Sequence, residues 1–385
     1  MGKLSILYIA PSIAVPSFHG GSTHVLELSR NLVKLGCEVT VLARRLPAQP
    51  QSEVLDGIKI FRIWRGIFKP IVTDNLEKIN INQNNKFRLL EKIYFNTIYV
   101  AFISSIALYL ANRGNVDVIM ERGDSYGAGG LVSLITSIPL VTEIRDVYQP
   151  KISLIVAKKL LVYDTSILKD KRFLYKTTTM YGGVDIERFR PMNKMEIKAS
   201  LGLSNKFVIG YSGSFAKSHR IDTLAIIAKR LIKKYGSNIH FLVVGPFNPS
   251  FLKILDSLGL RRHFLLSGPI HHEELPKYLN AMDVGLALYN PTLVAGPPYK
   301  VYEYNACGVP AITTDTIYSR KIIRNNFNGF LVNDVGDTVN KLSLLIENPC
   351  LLHEMSINAR KIAETFSWKE EAKRIFKLLK AICDK

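Results

Sequence analysis

The stretch "YKVYEYNACGVPAITTD", Tyr299 to Asp315, sets a cation and a carboxylate, Lys300 and Glu303, just ahead of a small-residue segment. Val301 to Cys307 predicts a short helix, Gly308 its end, and Ala311 to Thr314 a buried strand. Bare backbone N–H groups at the helix start, with Lys300 beside them, make a place for a phosphate. An ordinary Gly-terminated helix with a solvated Lys accounts for the same residues equally well.

Three other stretches carry chemistry of the same kind. In "PSFHGGSTHVLELSRNL", Gly20 and Gly21 follow a strand and open a helix, which lets an anionic group approach the backbone closely. A tight turn between strand and helix serves as well. In "GYSGSFAKSHRIDTLAII", a strand runs into a Gly/Ser turn and then Lys217, His219 and Arg220, cations suited to a diphosphate. In "PLVTEIRDVYQP", Glu143, Arg145 and Asp146 end an apolar strand, and charges there either face a site or pair internally.

These stretches need a scaffold, and the hydropathy pattern supplies one. Strands are predicted at Leu4–Ala10, Glu38–Ala43, Lys59–Ile63, Val116–Met120 and Leu140–Glu143, with a helix over Gly21–Leu35. Arg145 to Tyr175 reads as mostly helical, and "YGGVDIERFRP" marks a break. A second series follows at Phe207–Tyr211, Ile239–Gly245, Phe264–Ser267, Val284–Leu288, Ala311–Thr314 and Phe330–Val332. Strand–helix alternation twice over predicts two doubly wound α/β domains, with ligand in a cleft facing the carboxyl ends of their strands.

The bulk numbers agree with two globular domains: 385 residues, 47% hydrophobic and 22% charged. With 51 Lys and Arg against 32 Asp and Glu, net charge +19, anionic partners are favoured. The cations are scattered and no nucleic-acid motif is present, which ranks nucleic acid below a membrane surface or a nucleotide. Cys37, Cys307, Cys350 and Cys383 lack metal spacing and read as small buried residues in a reducing compartment. The opening residues read as a first strand rather than a signal peptide. Ile93 to Asn112 carries no charge and has the length of a membrane span, but Asn96, Thr97, Ser104 and Ser105 dilute it. A helix buried in the first domain, with one face able to touch lipid, fits better.

Seven stretches together, in order, resemble the retaining glycosyltransferases of family four, which have the GT-B fold. They are "GGSTHVLELSRNLVKLGCEVTVLA", "YGGVDIERFRP", "SGSFAKSHRIDTL", "SGPIHHEELPKYLNAMDVGLAL", "KVYEYNACGVPAITT", "NGFLV" and "FSWKEEA". "EIRDVYQP" resembles the Glu-x-Arg-Asp-x-x-Pro signature of a subgroup acting on cell-surface polysaccharides and lipid-linked glycans. The resemblance implies that Glu303 accepts hydrogen bonds from a nucleotide ribose. It implies that Lys300, the backbone at Val301 and Tyr302, and Lys217 face the diphosphate, that Gly268-Pro269-Ile270 contacts the base, and that Gly20 and Gly21 close over donor phosphate and acceptor. The sequence departs from the pattern at three points. The first Glu of the family's two-Glu motif falls at Ala295, the usual Arg of the phosphate turn falls at Ser214, leaving Lys217 and Arg220 to supply charge, and the usual His-Asp pair is Arg145-Asp146.

The resemblance divides the chain into an acceptor domain (1–185), a donor domain (186–364) and a final helix (365–385) returning to the first domain. It implies transfer of a sugar, with retention, from a UDP-sugar, or next a GDP-sugar, to a lipid-linked or cell-surface glycan. No cofactor or metal is implied, and the sequence contains no Asp-x-Asp pair. With the charge balance, it implies a cytoplasmic protein on the inner face of the cell membrane. A non-catalytic nucleotide- or glycan-binding relative, or a membrane-assembly subunit, is the alternative.

Overall fold

A computed structural model of the chain describes residues 3–17, 20–64, 85–145, 149–213, 222–291 and 296–384. The chain divides into two units, residues 1–180 with 371–385, and residues 181–370.

The first unit is built on strands β1 (Ser5–Ala14), β2 (Glu38–Arg44), β3 (Ser52–Leu55), β4 (Ile58–Ile63), β5 (Val118–Arg122), β6 (Leu140–Ile144), β7 (Lys159–Val162) and β8 (Thr177–Thr179). They lie in the order β3-β4-β2-β1-β5-β6-β7-β8, parallel throughout except for the β3–β4 hairpin. The apolar run of β1 is buried on both faces, as a central parallel strand requires. Pro11 does not end this strand: pairing with β2 breaks register between Ala10 and Ala14, where a missing N–H is tolerated. The segment 145–175 also differs from expectation, because "KLLV" pairs as β7 beside β6. A four-residue apolar run cannot be told from helix by periodicity alone.

The uncharged stretch Ile93–Asn112 lies within a helix over Asn85–Arg113. Tyr99, Ile103, Ala107, Leu110 and Ala111, at helical spacing, are buried against β-strand residues such as Leu7 and Ile119. Among the described residues no helix is long and apolar enough to cross a membrane. Of the four cysteines, Cys37 and Cys307 are buried, but Cys350 is exposed in the first turn of the helix Pro349–Thr365 and Cys383 is half-buried.

The second unit holds β9 (Phe207–Ser212), β10 (Ile239–Val244), β11 (Phe264–Gly268), β12 (Val284–Ala287), β13 (Ala311–Thr314) and β14 (Gly329–Val332). Their order is β11-β10-β9-β12-β13-β14, all parallel. Apolar cores cover both faces of this sheet. The strand order reverses between β9 and β12, and a crevice at the carboxyl ends of such a pair is where doubly wound sheets take ligands. The equivalent reversal in the first unit lies between β1 and β5.

Candidate functional site

At the reversal in the second unit, the carboxyl ends of β9, β10 and β11 are laced by their backbones. Gly213 N–H donates to Val244 O at 2.9 Å and Gly245 N–H to Gly268 O at 3.0 Å. Gly213 and Gly245 have φ of +127° and +126°, conformations a side chain would strain. A Cβ on Gly245 would stand 2.4 Å from the Gly213 carbonyl oxygen, and one on Gly213 2.9 Å from Lys300 Nζ.

Lys300 and Glu303 lie on the helix Tyr299–Ala306, whose position is fixed from two sides. On one side Tyr304 Oη accepts from Ser212 N at 2.7 Å and from Ser212 Oγ at 3.2 Å, and donates to Leu286 O at 3.3 Å, tying the helix to β9 and β12. On the other, the Tyr299 ring stacks on Trp368, with centroids 6.0 Å apart, and the Tyr302 ring meets Phe366 edge-on at 5.5 Å. Trp368 and Phe366 are themselves held by Val184, which donates to Phe366 O and accepts from Trp368 N. The "YGGVD" and "FSW" stretches thus clamp the helix.

The clamp places Lys300 Nζ in an unusual setting. The side chain is buried, its ammonium stands 4.1 Å from the Tyr211 ring centre and 5.5 Å from that of Tyr289, and among the described residues it has no hydrogen-bond acceptor. Burial lowers the ammonium to about 7, against an opposing pull from Glu303. Burial also raises the hydroxyls of Tyr211 and Tyr289, so both stay neutral. Two aromatic faces stabilise a cation without neutralising it. Among the described residues, this donor has no anion to receive it.

Glu303 points elsewhere. Its Oε1 accepts from His272 Nε2 at 3.0 Å, and the other ring nitrogen of His272, Nδ1, lies 3.2 Å from Arg188 Nη1. A guanidinium only donates, so Nδ1 carries the lone pair and Nε2 the proton. Asp185 Oδ2 pairs with Arg188 Nη2 at 3.2 Å.

The other expected donor-site residues are distributed unevenly. Val301 and Tyr302 turn their side chains into the apolar core, and Val301 N–H is taken by Pro298 O at 2.8 Å in the tight first turn of the helix. Gly268 is in the left-handed region at φ +70°, and its carbonyl oxygen already accepts from Gly245. Pro269 is exposed and Ile270 packs at the edge of the core. Ser214, Lys217, Arg220 and Ala295 lie outside the described residues.

In the first unit a separate polar cluster gathers at the carboxyl ends of β1, β5 and β6. Gly20 and Gly21 open the helix Gly20–Lys34, which carries the buried His24. Glu143 Oε1 accepts from Tyr8 Oη at 2.5 Å and faces His24 Nε2 at 3.3 Å; its Oε2 accepts from Arg145 Nε at 2.9 Å and stands 4.0 Å from Arg122 Nη1. Burial alone would raise the Glu143 carboxyl, but His24, Arg145 and Arg122 outweigh it and hold it well below the usual carboxylate range. Burial and the Arg145 charge push His24 down to about 4, leaving it neutral at pH 7. The Arg145 guanidinium also lies over the Tyr163 ring at 5.0 Å. Asp146 lies outside the described residues. The reading of Glu143 with Arg145 as an internal pair therefore describes their contact, within a wider cluster.

Sequence reasoning passed over His272, Arg188, Tyr211 and Tyr289 in the second unit, and Arg122, His24 and Tyr8 in the first. Arg122 alone carried a readable signal, a charge ending an apolar strand two residues beyond where that strand was expected to stop.

Residues 193–362 match the family described as Glycosyl transferases group 1. The second unit holds a glycosyltransferase group 1 domain. The chain containing this domain is 29% identical over 209 residues to a D-inositol 3-phosphate glycosyltransferase of Rhodococcus erythropolis, covering 49% of this chain and 45% of that one. It is 29% identical over 202 residues to the UDP-Gal:alpha-D-GlcNAc-diphosphoundecaprenol alpha-1,3-galactosyltransferase of Escherichia coli, covering 50% and 51%. The chain thus spans about half the length of these curated relatives. Anabaena HepE, solved with UDP and glucose, shares the fold with a TM-score of 0.72 and 16% identity, over 98% of this chain and 100% of that one. The fold is GT-B, two Rossmann-like α/β domains.

Proposed function

We propose that the protein is a retaining glycosyltransferase of family four, moving a sugar from a nucleotide-sugar to a lipid-linked or cell-surface glycan. The observation that carries the reading is the buried Lys300 ammonium, without an acceptor among the described residues, at the carboxyl end of β9 beside Gly213. An uncompensated buried cation costs several kcal/mol, on the order of what an arriving anion can return. A diphosphate bound there would keep Lys300 charged. As the sugar–phosphate bond breaks, negative charge grows on the leaving diphosphate, and a fixed cation in a partly dry site stabilises it. Glu303, one turn along the same helix, is the acceptor for the ribose hydroxyls.

UDP is the favoured donor nucleotide and GDP the next, a choice supported by the relatives: the Escherichia coli enzyme is named for UDP-Gal and its diphosphoundecaprenol-linked substrate, and HepE was solved with UDP. Charge neutralisation by Lys300, with Lys217, in place of a divalent ion is supported by the lack of an Asp-x-Asp pair in the sequence. Attachment to an anionic membrane face is supported by the net charge of +19 and by Leu134, Ile135, Ile155 and Tyr175, all exposed on the first unit.

The test is release of nucleoside diphosphate from UDP- and GDP-sugars, with and without a lipid-linked glycan and with and without a chelator. Acceptor-dependent release that persists in chelator and vanishes in Lys300→Met supports the reading. Nucleotide binding without release from any donor, in the presence of any such acceptor, favours the binding relative.

A further inference from the structure

We propose that His272, locked in one tautomer by Arg188, positions Glu303 and thereby sets the site's preference for a ribonucleotide over its 2′-deoxy counterpart. The inference rests on the reading that Glu303 meets the ribose.

Asp185 anchors the chain of contacts. Its Oδ1 accepts the backbone N–H groups of Glu187 and Arg188, each at 3.1 Å, which fixes the carboxylate, and its Oδ2 faces Arg188 Nη2 at 3.2 Å. Arg188 Nη1 then donates to His272 Nδ1, and the ring donates onward from Nε2 to Glu303 Oε1. The Phe189 ring lies tilted against the imidazole with centroids 5.3 Å apart, which holds the ring plane. Donation runs outward from Arg188, to Asp185 on one side and through His272 on the other to a carboxylate whose side chain is only 13% exposed. Among the described residues nothing donates to Glu303 Oε2. One oxygen is held and the other is presented.

A carboxylate held in this way has a fixed direction for its remaining lone pairs, and a ribose offers two hydroxyl donors to them. A 2′-deoxyribose offers one, and leaves a part-buried carboxylate short of a partner, a mismatch that ordinarily costs about tenfold or more in affinity. Without His272 the carboxylate is free to turn toward Arg188, and the difference between the two sugars shrinks. A merely structural role for His272 would weaken both ligands alike.

The experiment is calorimetric titration of the full chain with UDP and 2′-deoxy-UDP, and in parallel with GDP and 2′-deoxy-GDP. The expected wild-type preference for the ribonucleotide is about tenfold or more. In His272→Phe the preference should fall to within about threefold through loss of ribonucleotide affinity, with the deoxynucleotide changed by no more than about twofold. His272→Gln, whose amide can still donate to Glu303, should restore most of it. Arg188→Met, which leaves the tautomer unfixed, should fall between. Inorganic pyrophosphate binding, read in each variant, separates a lost fold from a lost orientation. An unchanged preference in His272→Phe overturns the inference and leaves the donor site standing. Equal wild-type binding of both sugars does the same. Binding of none of the four nucleotides overturns the donor reading and the inference with it.

Discussion

Lys300 and Tyr211 meet with the ammonium 4.1 Å from the ring centre, in a pocket of the second unit where the ammonium has no acceptor among the described residues. A folded protein gives up stability to keep such a charge, and that cost is measurable.

The folded-state Lys300 ammonium is lowered to about 7 against 10.5 for the free group. Between those values the unfolded chain binds the extra proton, so stability rises with pH across that window; below about pH 7 both states are protonated and the cost is complete. Lys300→Met should therefore raise the unfolding free energy near pH 6 by on the order of a few kcal/mol, and the melting temperature with it. The gain should fade toward pH 10, while nucleoside diphosphate binding is lost at every pH. Thermal denaturation across pH checks both halves.

The same proton gives binding a pH dependence. A bound diphosphate raises the Lys300 ammonium again, so binding above pH 7 takes up a proton. Affinity should be flat below about pH 7 and then fall roughly tenfold per unit until the bound-state value is reached. Titrations in buffers of different ionisation heat would show the proton uptake directly, and a pH-independent affinity would contradict it.

Gly245→Ala tests the backbone lacing at the carboxyl ends of β9 to β11. The new methyl would stand 2.4 Å from the Gly213 carbonyl oxygen, at a φ of +126°. Neither the backbone contact nor the conformation can relax cheaply, and a loss of about 2 to 4 kcal/mol is expected. Denaturant unfolding measures it.

The buried cluster of the first unit predicts acid sensitivity. His24 is lowered from 6.5 to about 4 by burial and the Arg145 charge. Its contribution to stability is complete above about pH 6.5 and is lost as pH falls toward 4, because the unfolded chain then binds a proton the folded one refuses. The loss reaches about 3 kcal/mol. His24→Gln, which keeps a donor toward Glu143, should flatten this slope, as melting curves between those pH values would show.

The parallel sheets were legible because their central strands, such as β1 and "FVIGYS" of β9, are near-continuous apolar runs between helices of clear periodicity. What escaped was short or lacked such contrast. β7 is four residues long, β3 exists only as half of an Asp-Gly hairpin, and β8 is three threonines. The site divided in the same way. Lys300 and Glu303 were visible because they stand together ahead of a Gly-terminated helix. His272 and Arg188 lie 84 residues apart, and only folding brings them within 3.2 Å. Tyr211 and Tyr289 read as ordinary strand residues, since an aromatic cage around a cation leaves no spacing in one sequence. The exposure of Cys350 escaped because it depends on which face of its helix meets the core.

The most direct measurement is a calorimetric titration of UDP, GDP and ADP into the wild-type protein, Lys300→Met and Glu303→Ala. The account predicts that one nucleotide binds the wild type, that Lys300→Met abolishes binding, and that Glu303→Ala weakens it by about tenfold or more. No binding at millimolar nucleotide, or equal binding by all three proteins, would contradict the assignment of Lys300 and Glu303 to a nucleotide-sugar site.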